Sequence, residues 1–353
     1  MKKFLLLLLL IPFTINAYGT SATSAILMDT DSGRIIYGNN INNVRSVASI
    51  SKIMTAIVAI ESGKLDEIVI IGEEINTAYG SGIYIKVGEE LTLRDLVYGL
   101  MLRSGNDAAL AIANFVGGNV DDFVALMNNY AKTIGMKNTT FNNPSGLDQE
   151  KGNYSTAYDM ALLTKYAMQN EEFRTIVGTK KYELKTNLNY YLWNNKNKLL
   201  ISYKYATGGK TGFTTKAKRT LVTTASKNNV NLVAVTLNDG NDFEDHKNLY
   251  EEAFREYKSY KILSKDKINI LGESYYKNYD FYLNEDFYYS MKKDEINDIL
   301  IRFELNKLKK IQSNANVGKV YVYLKDKQIY ENNVYIKSSS KKNIFKKVFD
   351  YLW

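Results

Sequence analysis

Apolar positions along the chain change their pattern several times, and each pattern predicts a different element. The first is an unbroken run, Phe4 to Phe13, behind Lys2 and Lys3 and ahead of Ile15-Asn16-Ala17. A short positive stretch, an apolar run too short to span a bilayer comfortably and a small residue at a cleavage point predict a secretory signal peptide over residues 1–17. It is left out of the fold. Residues 24–28 (SAILM) and 34–37 (RIIY) flank the turn cluster Asp29-Thr30-Asp31-Ser32-Gly33 and predict a β-hairpin. Residues 50–62 predict a helix stopped by Gly63. Leu93 to Phe115 carries helical apolar spacing but is interrupted at Ser104-Gly105-Asn106. A glycine inside a helix costs roughly 1 kcal/mol, so that break has a purpose.

Further helices are predicted over 120–134, 155–169 and 244–257, and strands over 219–225 and 230–237, joined by Ser226-Lys227-Asn228-Asn229. A hairpin early and strands near residue 235 predict one sheet completed by both ends of a domain, residues 18–257. After Tyr257 the texture becomes Tyr-, Lys- and Asn-rich. Ile299, Ile301, Phe303 and Leu305 alternate at strand period, and Val320–Leu324 and Val334–Ile336 flank Lys325-Asp326-Lys327. These predict a small β-domain over 258–337. Last comes a segment at 338–353, a serine linker followed by residues that would gather Ile344, Phe345, Val348, Phe349, Leu352 and Trp353 on one helical face. It is too short to cross a membrane and suits lying in an anionic interface. Packing against the β-domain fits the same stripe.

Composition then removes mechanisms. There is no cysteine, hence no disulfide and no thiol nucleophile, and only one histidine, His246, with no HExxH motif. We expect no metal and no cofactor. A Ser-His-Asp triad would have to use His246, yet no G-x-S-x-G elbow accompanies it, so His246 is expected to be structural. The net charge of +8 suits an anionic cell envelope or membrane surface. Export and the absence of a recognition motif argue against nucleic acid. For a hydrolase, serine with lysine is the remaining chemistry.

The stretch SVASISKIM, residues 46–54, offers that pair. Serine is a poor nucleophile until its proton is removed, and a lysine three residues on shares its helical face. Helix capping by Ser49 or Ser51 explains the same letters. Two further stretches bear on the choice, Ser104-Gly105-Asn106 at the helix break and Lys210-Thr211-Gly212 ahead of a predicted strand.

In this order, S-x-x-K, S-x-N and K-T-G resemble the serine acyl-transferase superfamily of penicillin-binding proteins and β-lactamases. The surrounding blocks AILMDTDSGRIIYGNN, RSVASISKIMTAIVAIE, LRDLVYGLMLRSGNDAALAIA, FNNPSGLDQEKGNYSTAYDMALLTKYA and GGKTGFTTKAKRTLVTTAS are similar, more narrowly, to low-molecular-mass D-alanyl-D-alanine carboxypeptidases. The resemblance covers roughly residues 24–257 and continues more weakly to the end.

It implies an α/β (α+β) transpeptidase/β-lactamase-like domain, an antiparallel sheet flanked by helices, followed by a small all-β domain. It also implies roles. Ser49 would be the nucleophile and Lys52 its base, kept neutral by burial and by the charge of Lys210. Ser104 would relay a proton to the leaving amine, and Asn106 would hold Lys52 and a substrate amide. Lys210 and Thr211 would meet a substrate carboxylate, Gly212 would let the edge strand approach, and the Phe213 and Ser49 N–H groups would form an oxyanion hole. The implied substrate is a peptidoglycan stem peptide, with β-lactam antibiotics as inhibitors and a location on the outer face of the cytoplasmic membrane.

The family often carries histidines in the segment matching 144–156, where this chain has Ser145 and Asn153. A β-lactamase is the nearest rival, but it has S-D-N as its second motif, and Glu150 with Asn153 is a poor match to its glutamate loop. A transpeptidase or endopeptidase acting on the same substrate also fits the three motifs, whereas the presence of Ser49, Lys52, Ser104, Asn106 and Lys210 together argues against a catalytically dead peptidoglycan-binding module.

Overall fold

The computed structural model describes residues 19–148, 151–266 and 268–338. The expected signal peptide, Glu150 and residues 339–353 of the expected C-terminal segment lie outside the described residues.

Five strands form the central sheet: β1 (Ser24–Asp29), β2 (Ile35–Asn39), β3 (Ala206–Thr214), β4 (Lys218–Lys227) and β5 (Val230–Leu237). Their spatial order is β2-β1-β5-β4-β3, every pair antiparallel, so the early hairpin and the late strands do complete one sheet. The β4–β5 turn is tighter than the sequence suggested. Ser226 and Lys227 remain paired, and the left-handed Asn228 and Asn229, at φ 52° and 61°, make the reversal, as a two-residue hairpin requires.

Both faces of the sheet are covered, which is why β1 reads as a continuous apolar run. Ile26, Met28, Val233 and Val235 face the main core, while Leu27, Leu232 and Ala234 face the opposite layer. The main core is built by α1 (Lys52–Glu61), α2 (Leu93–Arg103), α3 (Asn106–Gly117), α4 (Val120–Ile134), α5 (Ala157–Ala167) and α6 (Glu171–Gly178). The other layer holds α7 (Leu199–Ser202) and α8 (Asp242–Glu256). Lys52 to Ile60 are all buried, as befits a helix apolar on every side. His246 on α8 is a core residue: its two ring nitrogens pair with Thr223 Oγ1 at 2.7 Å and Thr236 Oγ1 at 3.1 Å, and burial lowers its pKa to about 3.

Helix α2 begins at a capping box, Thr92 with Asp95. It ends at Ser104, whose φ of 66° is left-handed, and after Gly105 the chain restarts as α3 at Asn106. The break thus turns a helix interior into a helix end facing the sheet edge. The pattern did not predict α6 or the hairpin of Lys181–Lys185 with Tyr190–Asn194. Its strands alternate exposed residues with sheltered ones, Tyr182, Leu184, Tyr191 and the buried Trp193 facing the main core.

Beyond α8 the chain forms the smaller all-β body. Strand β6 (Tyr257–Leu263) pairs with β8 (Phe287–Lys292), and β7 (Tyr279–Tyr282), β9 (Ile299–Leu305), β10 (Asn316–Leu324) and β11 (Lys327–Ser338) form a sheet in the order β7-β11-β10-β9. It has its own core around Tyr276, Met291, Val320, Val322 and Ile336. Arg34, in the turn between β1 and β2, ties it to the larger body. Its guanidinium pairs with both Glu295 oxygens at 2.6 and 3.0 Å and lies over the Tyr257 and Tyr289 rings.

Candidate active site

Ser49 lies in a single 3₁₀ turn, Ala48–Ser51, that runs directly into α1. In such a turn side chains three apart eclipse one another, and Ser49 Oγ stands 3.2 Å from Lys52 Nζ. The residue before it, Ala48, is left-handed at φ 50°, a conformation costing an ordinary residue about 1–2 kcal/mol. Neither Ser49 nor Ser51 caps the helix through its side chain. Ser51 is fully buried and donates to Ala48 O at 2.9 Å, whereas Ser49 is partly exposed.

Among the described residues Lys52 has three oxygen neighbours. Besides Ser49 Oγ it meets Asn106 Oδ1 at 2.7 Å and the Ser145 carbonyl. The Asn106 amide donates through Nδ2 to Tyr79 O at 2.6 Å, which turns its oxygen toward Lys52. Asn106 Oδ1 and the Ser145 carbonyl can only accept. A neutral Lys52 amine therefore commits both N–H bonds to them, and its lone pair faces the Ser49 hydroxyl.

Burial, followed by the Lys196 ammonium, lowers Lys52 to about 7, against an opposing pull from Asp107. The sequence reading assigned that charge to Lys210. Lys196 adds a second cation to that expectation, and Lys210 is itself held well below its usual range by burial, by Lys52 and by Lys196, so the two buried lysines disfavour each other's charge. Lys210 is 1 % exposed and donates to the Thr211 carbonyl at 2.8 Å.

The serine opens into a cleft of about 350 Å³ lined by Ser49, Ser81, Ser104, Lys196, Thr211, Gly212, Phe213, Arg219, Asp242 and Phe243. One wall is the α2–α3 break and the other is β3, the edge strand. At Gly212 the strand backbone presses on the 3₁₀ turn: a Cβ there would lie 2.4 Å from Thr220 Oγ1 and 3.0 Å from Ser49 N. Thus Ser49, Ser104, Thr211, Gly212 and Phe213 share the cleft, with Lys52, Asn106 and Lys210 buried behind it. Larger hollows, of about 680 and 630 Å³, lie away from these residues around Asp31 and Met168.

Three participants escaped the sequence reading. Lys196 bonds Ser81 Oγ at 3.2 Å in the cleft, Arg219 reaches it while paired with Asp242, and Ser145 contributes only its backbone. Arg219 lay inside a quoted block, but nothing in its spacing singled it out. Asn153 is a buried strut donating to Ser51 Oγ at 3.0 Å and Asn143 O at 2.9 Å.

The chain matches the family model described as D-alanyl-D-alanine carboxypeptidase over residues 12–241, and that of the penicillin-binding protein 5 C-terminal domain over residues 257–342. It is 34% identical over 255 residues to D-alanyl-D-alanine carboxypeptidase DacF of Bacillus subtilis, covering 70% of this chain and 65% of that protein. With DacA of Escherichia coli it shares 30% identity over 365 residues, covering 94% and 87%. The crystal structure of penicillin binding protein 5 from Haemophilus influenzae superposes with a TM-score of 0.76 at 28% identity, covering 92% of this chain and 99% of that one. The serine–lysine turn, the broken helix and the β-domain thus sit in a chain that belongs to the D-alanyl-D-alanine carboxypeptidase family.

Proposed function

We propose that this chain is a penicillin-sensitive, serine-type D-Ala-D-Ala carboxypeptidase that trims peptidoglycan stem pentapeptides. The observation that carries this reading is the Ser49–Lys52 pair, with the two acceptor-only oxygens that leave the lysine lone pair on the serine hydroxyl. Lys52 takes the Ser49 proton as Oγ attacks the carbonyl carbon between the last two D-alanines. The Ser49 and Phe213 N–H groups receive the developing oxyanion. The C–N bond breaks, a proton passes through Ser104 to the leaving amine, and D-alanine departs. Water then hydrolyses the Ser49 ester and restores the hydroxyl. Asn106 holds the substrate amide while Lys210 and Thr211, with Lys196 and Arg219 in the cleft, oppose the terminal carboxylate. A β-lactam acylates Ser49 by the same attack.

In this reading residues 1–17 direct export, residues 18–257 carry catalysis, residues 258–337 form the β-domain, and residues 338–353 attach the protein to the outer face of the cytoplasmic membrane. The reaction needs no metal or cofactor. The test is D-alanine release from a pentapeptide ending in D-Ala-D-Ala, together with turnover of a fluorescent penicillin. Release of D-alanine with slow loss of the label supports the carboxypeptidase. Rapid label turnover without D-alanine release would make it a β-lactamase, and no labelling would make it a binding module.

A further inference from the structure

Ser145 meets Lys52 through a backbone oxygen, so its position depends on whatever folds the turn around it. Asn143 supplies the centre of that turn. Its Oδ1 accepts from Ser145 N at 3.2 Å, Ser145 Oγ at 3.1 Å and Gly146 N at 2.7 Å, and its Nδ2 donates to Leu147 O at 3.0 Å and Lys151 O at 3.3 Å. A side-chain amide that captures the backbone two and three residues on is an Asx turn. Two neighbours fasten the turn to the nucleophile's own segment. Asn153 Oδ1 accepts from Asn142 N and Asn143 N at 2.7 and 3.1 Å, and Thr55 of α1 donates to Pro144 O at 2.7 Å. Gly146, at φ 79°, packs so closely that a Cβ would lie 2.1 Å from Ala48 O.

We propose that Asn143 is a positioning residue for acylation: by folding the turn around its own side-chain oxygen, it holds the Ser145 carbonyl on Lys52 and keeps the amine lone pair on Ser49. This rests on the reading of Ser49 as nucleophile and Lys52 as base. Without the Asn143 oxygen the carbonyl drifts, one N–H of the neutral amine is released, and the lone pair is no longer confined to the serine. The charged groups acting around Lys52 are Lys196 ahead of α7, Asp107 in the first turn of α3 and Lys210 on β3. The loop itself brings Asp148, which is engaged by Ser46 and Thr214.

The loss has a signature in pH. The ammonium form of Lys52 uses all three oxygens, so removing one acceptor disfavours the charged form. The acid limb of acylation moves to lower pH while the plateau rate falls.

The experiment is the rate of Ser49 labelling by a fluorescent penicillin across the Lys52 titration, in the full chain and in Asn143→Asp, Asn143→Ser and Asn143→Ala. Asp keeps the accepting oxygen and stays near the wild-type rate. Ser keeps a shorter, weaker acceptor and is intermediate. Ala loses ~10- to 100-fold, the scale of a misplacement of about 1 Å, with its acid limb shifted down. Should the Ala variant not fold, the order wild type, Asp, Ser decides. Equal rates in wild type and Ser, or a lower plateau with an unmoved limb, would overturn the inference while leaving Ser49 as nucleophile. A wild-type adduct away from Ser49 would overturn the underlying reading and this inference with it.

Discussion

Ser49 Oγ and Lys52 Nζ stand 3.2 Å apart, with the serine partly exposed to the cleft and the lysine fully buried behind it. Ser51 sits two residues on in the same turn, yet its hydroxyl is sealed between Ala48 O and the Asn153 amide. One turn therefore presents one serine to substrate and hides the other. Intact-mass analysis after penicillin treatment is expected to give a single adduct on the peptide containing Ser49. Ser49→Ala abolishes it, while Ser51→Ala largely keeps it. An adduct on Ser51 or Ser104 would be fatal to the assignment.

The lysine makes acylation dependent on pH. Its pKa is lowered from 10.5 to about 7, so the base form accumulates as pH rises through about 7 and acylation rises with it. The unfolded chain keeps that proton up to the ordinary lysine range, so this group makes stability rise with pH from about 7 to about 10.5. Its destabilising effect is fully present below that window. Lys52→Ala should slow acylation at least ~100-fold, the usual scale of general-base catalysis. Burial is the larger cause, but Lys196→Gln removes a cation that adds to it, so the acid limb of the rate profile should move to higher pH. An unmoved limb would show that Lys196 does not tune the base.

Much of this was legible because the chemistry resides in side chains at fixed spacing. The three motifs mark Ser49, Lys52, Ser104, Asn106 and the β3 edge, and the apolar periods mark the hairpin, most main-core helices and the two-ended sheet. What escaped has a common cause. Lys196 is one lysine in a stretch rich in lysine and asparagine, and only folding brings its ammonium beside Ser81. The Ser145 carbonyl is backbone, identical in every residue type. Asn143 looks like an ordinary loop polar residue until the turn closes on it, and Asn153, noted only for standing in a segment that often carries histidine, gives no sign in sequence of the backbone it holds. Lys210 and Lys52 disfavour each other's charge, but that burial also pushes Lys210 itself well below its usual range was not visible in the spacing.

Gly212 offers a steric test. A methyl group there would meet Thr220 Oγ1 at 2.4 Å and crowd Ser49 N at 3.0 Å. The Thr220 hydroxyl is itself committed to Val47 O at 3.0 Å, so relief by rotation breaks a buried bond. Gly212→Ala should cut acylation by ~100-fold, comparable to losing one oxyanion donor, while circular dichroism remains native. Normal acylation would mean that β3 does not bear on the serine amide.

Arg34 separates stability of the β-domain from chemistry. Its side chain and that of Glu295 are 15% and 16% exposed, and it also donates to Ser290 O at 3.2 Å. Arg34→Ala leaves a mostly sheltered carboxylate without its partner, a loss of about 2 kcal/mol by the usual worth of a charged hydrogen bond. Proteolysis within residues 258–337 should accelerate, and the rate of Ser49 labelling should not change. A parallel loss of labelling would show that the β-domain shapes the cleft.

The last prediction concerns residues 340–353. The last described strand, β11, ends at Ser338, which still pairs with Tyr279, so cutting after Ser339 leaves that described strand whole. The deleted segment contains Lys341, Lys342, Lys346 and Lys347 beside Ile344, Phe345, Val348, Phe349, Leu352 and Trp353. Each lysine near an anionic leaflet contributes about 1 kcal/mol, and the apolar residues add burial at the interface. Attachment needs both, so the deletion should move the protein from membranes to the soluble fraction, with Ser49 labelling at the full-length rate. Replacing the four lysines with glutamine should have a smaller effect that weakens further as salt is raised, since their attraction is screened over about 8 Å at physiological ionic strength. A truncated protein that stays on membranes, or that loses penicillin binding, would mean that the segment packs on the β-domain instead of anchoring it.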